Sequence, residues 1–313
     1  MRILVCVSGN APNFRFEYSQ VFVYEQLESI CRLNPSVEYR VFAVVGKGIR
    51  GYLSSLRELK KVITDYKPDI VHAHCGQIGA IAVLQRVAPV ITTFHGSDVN
   101  DWRMRPISSF ASLCSDCSFF VSEKLKNTLK IRGKDCRVIP CGVDDDIFHP
   151  MDKDDCKRRL GLNPSIDYIL FASNFNNTIK NPSLAKSVAS HFPRLNLMEI
   201  KDRTRDEVAW LINGAELVLM TSHSEGSPQI IKESIACGQR IVSVDVGDVS
   251  EQLDGIPGCH VCSQDESQLV EAVKSVLESE HISYSVPNKF NSKIIAQSIL
   301  EKYNQIIQRH GRL

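Results

Sequence analysis

Short apolar runs rich in Val and Ile recur along the chain, and between them apolar residues return every three or four positions. This alternation of a two-residue and a 3.6-residue period marks repeated β–α–β units and a parallel sheet. In the first half the strand candidates are RILVCV (2–7), RVFAVV (40–45), DIVHAH (69–74), VITTFH (90–95), SFFVS (118–122) and RVIPC (137–141). The second half offers YILFAS (168–173), NLMEI (196–200), ELVLMTS (216–222) and RIVSVDV (240–246). Ile49, Tyr52, Leu53, Leu56, Leu59 and Ile63 share one helical face, and beyond about 291 Ile294, Ile295, Ile299, Tyr303, Ile306 and Ile307 form a second stripe.

Pro140, Gly142 and Pro150 punctuate the middle of the chain, so a join is expected over 142–152. A length of 313 residues suits two domains. The expected division is 1–148, then 149–290, with 291–313 forming a helix that packs back on the first domain. No internal repeat or low-complexity tract interrupts this pattern.

Composition is that of an ordinary folded protein, with 43% hydrophobic and 23% charged residues. The opening MRILVCVSG has no long apolar core followed by a small-residue cleavage site, so neither a leader nor a spanning helix is expected. Eleven cysteines, several in or beside apolar strand candidates (Cys6, Cys75, Cys141), fit reduced thiols and a cytoplasmic setting. The net charge of +1 argues against a broad nucleic-acid-binding face. Basic residues do cluster at 47–61, where Lys47, Arg50, Arg57, Lys60 and Lys61 suit either a solvated helix face or contact with an anionic membrane.

The richest candidate chemistry lies in SEGSPQIIKESIACG (224–238), between two strand candidates. Ser227 is expected to cap a helix over roughly 228–237, Pro228 to open it and Gly238 to end it. Glu225 then occupies the loop at the carboxyl end of a parallel strand, and Glu233 a position about a turn and a half along the helix. The N–H groups and positive end of that helix favour a diphosphate, while carboxylates accept from vicinal sugar hydroxyls.

Glu225-Gly226-Ser227-Pro228 followed by Glu233-Ser234-Ile235-Ala236-Cys237-Gly238 resembles the EGxPxxxxEAxAxGxP stretch of family 4 glycosyltransferases, the group 1 glycosyl transferases. PDIVHAH (68–74), TFHGSD (93–98), VIPCGVDDDIFHP (138–150) and DVGDVSE (245–251) resemble further family segments in the same order. The resemblance implies the α/β GT-B fold, two Rossmann-like doubly wound parallel-sheet domains facing a cleft. It also implies a retaining, metal-independent transferase with no cofactor.

Its implied roles transfer one position at a time. Lys180 would meet the donor diphosphate, Glu225 the hydroxyls of the transferred sugar, and His95 the sugar or diphosphate. Glu233 would hold the ribose, with Gly226, Ser227, Pro228, Ser173 and Asn174 around the donor, while Gly9, Asn10 and Asp98 would form the acceptor or phosphate loop. Asn174 stands where many members carry arginine, so one cation is missing, and SGNAPNF (8–14) lacks the double glycine common in the family. The implied partners are a UDP- or GDP-sugar donor and a glycan or lipid-linked acceptor in surface polysaccharide synthesis. A non-catalytic sugar-binding or partner subunit of the same fold is the alternative.

Other patterns carry less. The pairs Cys114/Cys117 and Cys259/Cys262 lie too far apart for one zinc ribbon. Asp144, Asp145 and Asp146 fit a turn at the join better than a metal motif. His72 and His74 share a strand face, where hydrogen-bonded burial is expected rather than metal binding. Asp98 is equally suited to capping the next helix.

Overall fold

Runs of β-branched and aromatic residues in the first half fold as strands, the central ones buried on both faces because helices cover each side of a parallel sheet. The computed structural model describes residues 1–46, 48–280, 284 and 287–311. Packing divides the chain into one unit of Met1–Gly142 with Lys289–Leu313 and a second of Val143–Asn288.

The first unit contains β1 (Arg2–Ser8), β2 (Glu38–Val44), β3 (Ile70–His74), β4 (Val90–Phe94), β5 (Cys117–Phe120) and β6 (Cys136–Val138). All pair parallel in the order β2-β1-β3-β4-β5-β6, with Ile3 opposite Ile70 and His74 opposite Thr93. The two-residue alternation of β1 splits the core. Ile3, Val5 and Val7 meet Val23 and Leu27 of the helix Val21–Leu33 and Ile299 and Tyr303 of the helix Ser292–Arg309. Leu4 and Cys6 face the other way, toward Leu59 and Ile63 of the helix Gly48–Tyr66 and Ile78 and Ile81 of the helix Gly76–Val83. Each fully buried aliphatic side chain of this kind contributes about 1.5–3 kcal/mol.

The carboxyl-terminal helix starts where the Asn291 side chain accepts from the N–H groups of Lys293 and Ile294. The buried Lys302 then ties it to Asp135 at 2.6 Å, a contact shared with Arg309. Two positions of the expected stripes face solvent instead. Ile294 lies one residue off the 295/299/303/306 track and is exposed. Leu53 is exposed too, while Ser55 turns inward and donates to the Val45 carbonyl. Lys47 and the side chain of Ile49 lie outside the described residues.

The second unit contains β7 (Tyr168–Phe171), β8 (Asn196–Glu199), β9 (Leu217–Met220), β10 (Ile241–Val244) and β11 (Cys259–Cys262), parallel in the order β11-β10-β9-β7-β8. Central strands β7, β9 and β10 are wholly buried. Strand β11 does not stand out as an apolar run, because it is an edge strand of mixed exposure. Its Cys259 and Cys262, like the other nine cysteines, are free thiols. A capping box of Thr204 and Glu207 opens the helix Arg205–Gly214. At the start of this unit, Asp144 turns its side chain onto the N–H of Asp146 and its carbonyl onto those of Ile147 and Phe148. No described helix is long and apolar enough to cross a membrane.

Candidate functional site

In the second sheet the strand order reverses between β7 and β9. Loops leaving the carboxyl ends of two such neighbours diverge, which opens the crevice where ligands bind in doubly wound sheets. Lys180 comes from the loop after β7 and Glu225 from the loop after β9, and they meet there with Nζ to Oε1 at 2.5 Å. Both side chains are largely shielded, 24% and 12% exposed, so this ion pair is less screened than one in open water.

The backbone beneath the lysine is fixed twice. Thr221, just past β9, donates its hydroxyl to the carbonyls of Lys180 and Asn181, and the His223 N–H donates to the Ile179 carbonyl. Asn181 is left-handed (φ 53°), and its side chain accepts from Leu184 N–H at the start of the helix Pro182–Ser190. Asparagine tolerates that backbone better than most residues, so one side chain both turns the chain after Lys180 and caps the helix.

The expected helix after Glu225 runs over Gln229–Ala236. Its start differs from the sequence expectation. Pro228, with ψ at 122°, is the cap position, and its own side chain makes no capping bond. Ser227 instead donates to the Asp248 carboxylate at 2.8 Å, and Gln252 donates to both. A buried carboxylate is a strong acceptor for the hydroxyl, and it draws Ser227 away from the helix and into the DVGDVSE turn. Gly247 completes this contact: a Cβ there would stand 2.7 Å from the Gly226 carbonyl oxygen. At the far end Gly238 is left-handed, with its N–H on Ile235 and that of Gln239 on Ser234, the double bond of a Schellman stop.

Glu233 is nearly fully buried, and Arg205 holds it at 2.5 Å from the start of the neighbouring helix. The guanidinium also lies over the Phe148 ring, 4.6 Å from its centre. Asn174 closes its own turn, accepting at its side chain from Asn176 N–H and at its carbonyl from Asn177 N–H. Ser173 exchanges backbone bonds with Phe171 and Ile200. Thus Lys180 and Glu225 touch, Gly226 and Ser227 pack on the Gly247–Asp248 turn, and Glu233 is held by a residue that the sequence reading passed over.

The first unit gathers a different group at its sheet. His74 Nδ1 lies 3.0 Å from His95 Nε2. His72 Nδ1 meets the Tyr303 hydroxyl at 2.6 Å and its Nε2 meets the Thr93 hydroxyl at 2.7 Å. Burial, with His95 adding to it, pushes His72 down to about 3, and burial with His72 and His95 alongside drives His74 well below the usual histidine range. Both are therefore neutral at neutral pH.

Asp98 is buried beneath the His95 loop. Its oxygens accept from the N–H groups of His95, Gly96 and Gly76, so it staples this loop to the helix Gly76–Val83. Burial raises its pKa while those N–H groups lower it. Gly76 admits no larger residue there, since a Cβ would fall 2.1 Å from the Ser108 hydroxyl. Asn10 donates to and accepts from Gly46, while Gly9 N–H donates to the Val44 carbonyl.

Sequence reading did not reach Arg205, Thr221, Asp248, Tyr303 or Thr93. Asp248 lies in the DVGDVSE segment, but nothing local to it points to Ser227, 21 positions away. Tyr303 lies 231 residues from His72 and showed only as an apolar member of a helical stripe.

The family model for Glycosyltransferase Family 4 matches residues 5–147, and that for Glycosyl transferases group 1 matches 179–279. The first span holds His95 and Asp98, and the second Lys180, Glu225 and Glu233. The chain is 25% identical over 256 residues to a glycosyltransferase of Methanocaldococcus jannaschii, covering 75% of this chain and 73% of that one. It is 22% identical over 261 residues to the D-inositol 3-phosphate glycosyltransferase of Mycobacterium ulcerans, covering 67% of this chain and 56% of that protein's length. Among solved structures, sucrose-phosphate synthase from Thermosynechococcus elongatus superposes with a TM-score of 0.79 at 13% identity, over 99% of this chain and 100% of that one. Anabaena Alr3699/HepE in complex with UDP-glucose gives 0.71 at 12% identity, over 100% of both chains. With two parallel-sheet units and matches over most of its length, the chain has the GT-B fold and belongs to the family 4, group 1 glycosyltransferases.

Proposed function

We propose that this glycosyltransferase moves a sugar from a nucleotide diphosphate donor, a UDP- or GDP-sugar, to a glycan or lipid-linked acceptor in surface polysaccharide synthesis. The transfer retains anomeric configuration and uses no resident metal ion. The observation that carries this reading is the Lys180–Glu225 pair at the order reversal of the second sheet, beside a helix start whose cap position is a proline. The UDP-glucose bound by the Anabaena structure is consistent with such a donor.

The costly event is cleavage of the bond between the anomeric carbon and the diphosphate oxygen, which leaves negative charge on that oxygen. Lys180 stabilises this charge, and its role is larger because Asn174 brings a carboxamide where a second cation would stand. The acceptor hydroxyl attacks from the face the diphosphate leaves, and its proton passes to a leaving phosphate oxygen. No protein nucleophile is needed. Glu225 keeps the ammonium in place before the donor arrives and then accepts from hydroxyls of the transferred sugar. Glu233, held in one orientation by Arg205, accepts from the ribose. His95 takes the sugar or diphosphate contact that the family resemblance implies. Arg50, Arg57, Lys60 and Lys61, all exposed along with Leu53, suit a lipid-linked acceptor at an anionic surface.

Thermal melting against a panel of UDP- and GDP-sugars tests the donor. A true donor at about a hundred times its dissociation constant adds about 2.7 kcal/mol and raises the melting temperature by several degrees. A panel without any shift contradicts the reading. Proton NMR of the first-formed product tests retention, and an inverted anomeric centre would remove that part.

A further inference from the structure

The histidine pair of the first unit holds information about which ring nitrogen carries the proton. His74 and His95 are joined at 3.0 Å, with ring centroids 5.3 Å apart and planes 20° apart. The centroid separation exceeds the N···N distance by about two ring radii. The rings therefore lie edge to edge in nearly one plane, with the hydrogen bond along the lone-pair direction of each nitrogen, rather than stacked face on face. Such a bond needs one N–H and one bare nitrogen, so the two tautomers are locked together.

His74 decides between the two possibilities. Its other nitrogen, Nε2, is buried and has no hydrogen-bond partner among the described residues. If the proton of His74 sat on Nε2, a buried N–H would be left without an acceptor, the arrangement folded proteins avoid most strictly. With the proton on Nδ1, that N–H donates to His95 and only a bare acceptor nitrogen remains buried. A doubly protonated His74 is disfavoured by its burial and by His72 and His95 beside it.

We infer that His74 is a positioning residue: its Nδ1–H donates to His95 Nε2 and thereby fixes His95 as the Nδ1–H tautomer, a hydrogen-bond donor for an oxygen-bearing ligand such as a sugar hydroxyl or a phosphate. Isolated imidazole side chains favour the Nε2–H form, so the contact reverses an intrinsic preference. The His95 ring is held from a second side by Phe22, with centroids 4.8 Å apart, and its backbone N–H by Asp98. The tautomer assignment stands on the first unit alone, whereas its use on a sugar or phosphate rests on the proposed transferase reading.

The test is a long-range proton–nitrogen correlation spectrum of the full chain labelled with 15N-histidine, without substrate, with His95 assigned by its loss in His95→Gln. The expected spectrum shows His95 protonated at Nδ1 and bare at Nε2. His74→Leu should return His95 to a mixture dominated by Nε2–H, while His74→Asn, whose amide N–H can stand where Nδ1–H stood, should keep the wild-type pattern. An Nε2–H signal for His95 in the wild type overturns the inference, and this measurement is unaffected if His74→Leu fails to fold. An unchanged His95 pattern in folded His74→Leu overturns it as well. In transfer assays, His74→Leu should lose about tenfold in kcat and His74→Asn should recover most of it. Equal rates in all three proteins would overturn the positioning role, whereas loss of the donor reading itself would appear in the Lys180 variants and leave the spectrum untouched.

Discussion

At the scale of single residues, the candidate site was legible where chemistry is confined to a short segment and hidden where it is assembled from distant ones. Glu225 follows a strand candidate into a loop and Lys180 stands where the family resemblance implies a lysine, so both were candidates before their contact at 2.5 Å was known. Arg205 looked like an ordinary helix-start residue, because nothing in its neighbourhood of the sequence points to Glu233, 28 positions away. The buried histidines lead to a prediction about pH. The pKa of His72 lies near 6.5 in the unfolded chain and about 3 in the folded protein. Between those values the unfolded chain binds a proton that the folded one refuses, so stability is full above about pH 6.5 and falls as pH drops toward 3. One such proton contributes a slope of up to about 1.4 kcal/mol per pH unit. Urea unfolding of the wild type at about pH 7 and about pH 5.5 should show this loss, and His72→Phe should show a shallower one. Equal pH dependence in both proteins would mean that His72 does not remain neutral.

At the scale of elements, periodicity located the buried strands and long helices but not their exact partners. Strands β7, β9 and β10 were legible because both faces are apolar, and β11 was not, because an edge strand need not be. The helix stripes failed at Ile294 and Leu53, where spacing of three and four residues admitted a neighbouring position that faces water. The start of the helix Gln229–Ala236 shifted because Ser227 binds Asp248 from another loop, a tertiary contact that outcompetes a local cap. That packing depends on Gly247, where φ is +59° and a Cβ would meet the Gly226 backbone. Gly255, with φ of +71° and open space around it, is the matched control. Gly255→Ala should cost about 1 kcal/mol for its backbone alone. Gly247→Ala should cost about 1–3 kcal/mol more and weaken donor binding, because the loop carrying Glu225 must move. Equal melting temperatures for the two variants would show that the loop and turn are not close-packed.

At the scale of the whole molecule, the chain returns to its first unit: the helix Ser292–Arg309 places Tyr303 against His72 and Lys302 against Asp135. An amphipathic stripe announced that this helix packs somewhere, but a stripe does not name its partner. Recognition of the family rested instead on an ordered set of segments, and the two family matches over 5–147 and 179–279 agree with it. The proposed chemistry concentrates leaving-group stabilisation on one ammonium, since Asn174 adds no second charge. The most direct test is therefore the turnover of purified Lys180→Ala with the donor found by melting, measured beside a melting curve to show that the fold is kept. The account predicts a loss in kcat of about a hundredfold or more, the size seen when a fixed group that stabilises developing negative charge is removed. A folded Lys180→Ala that transfers sugar at nearly the wild-type rate would contradict it.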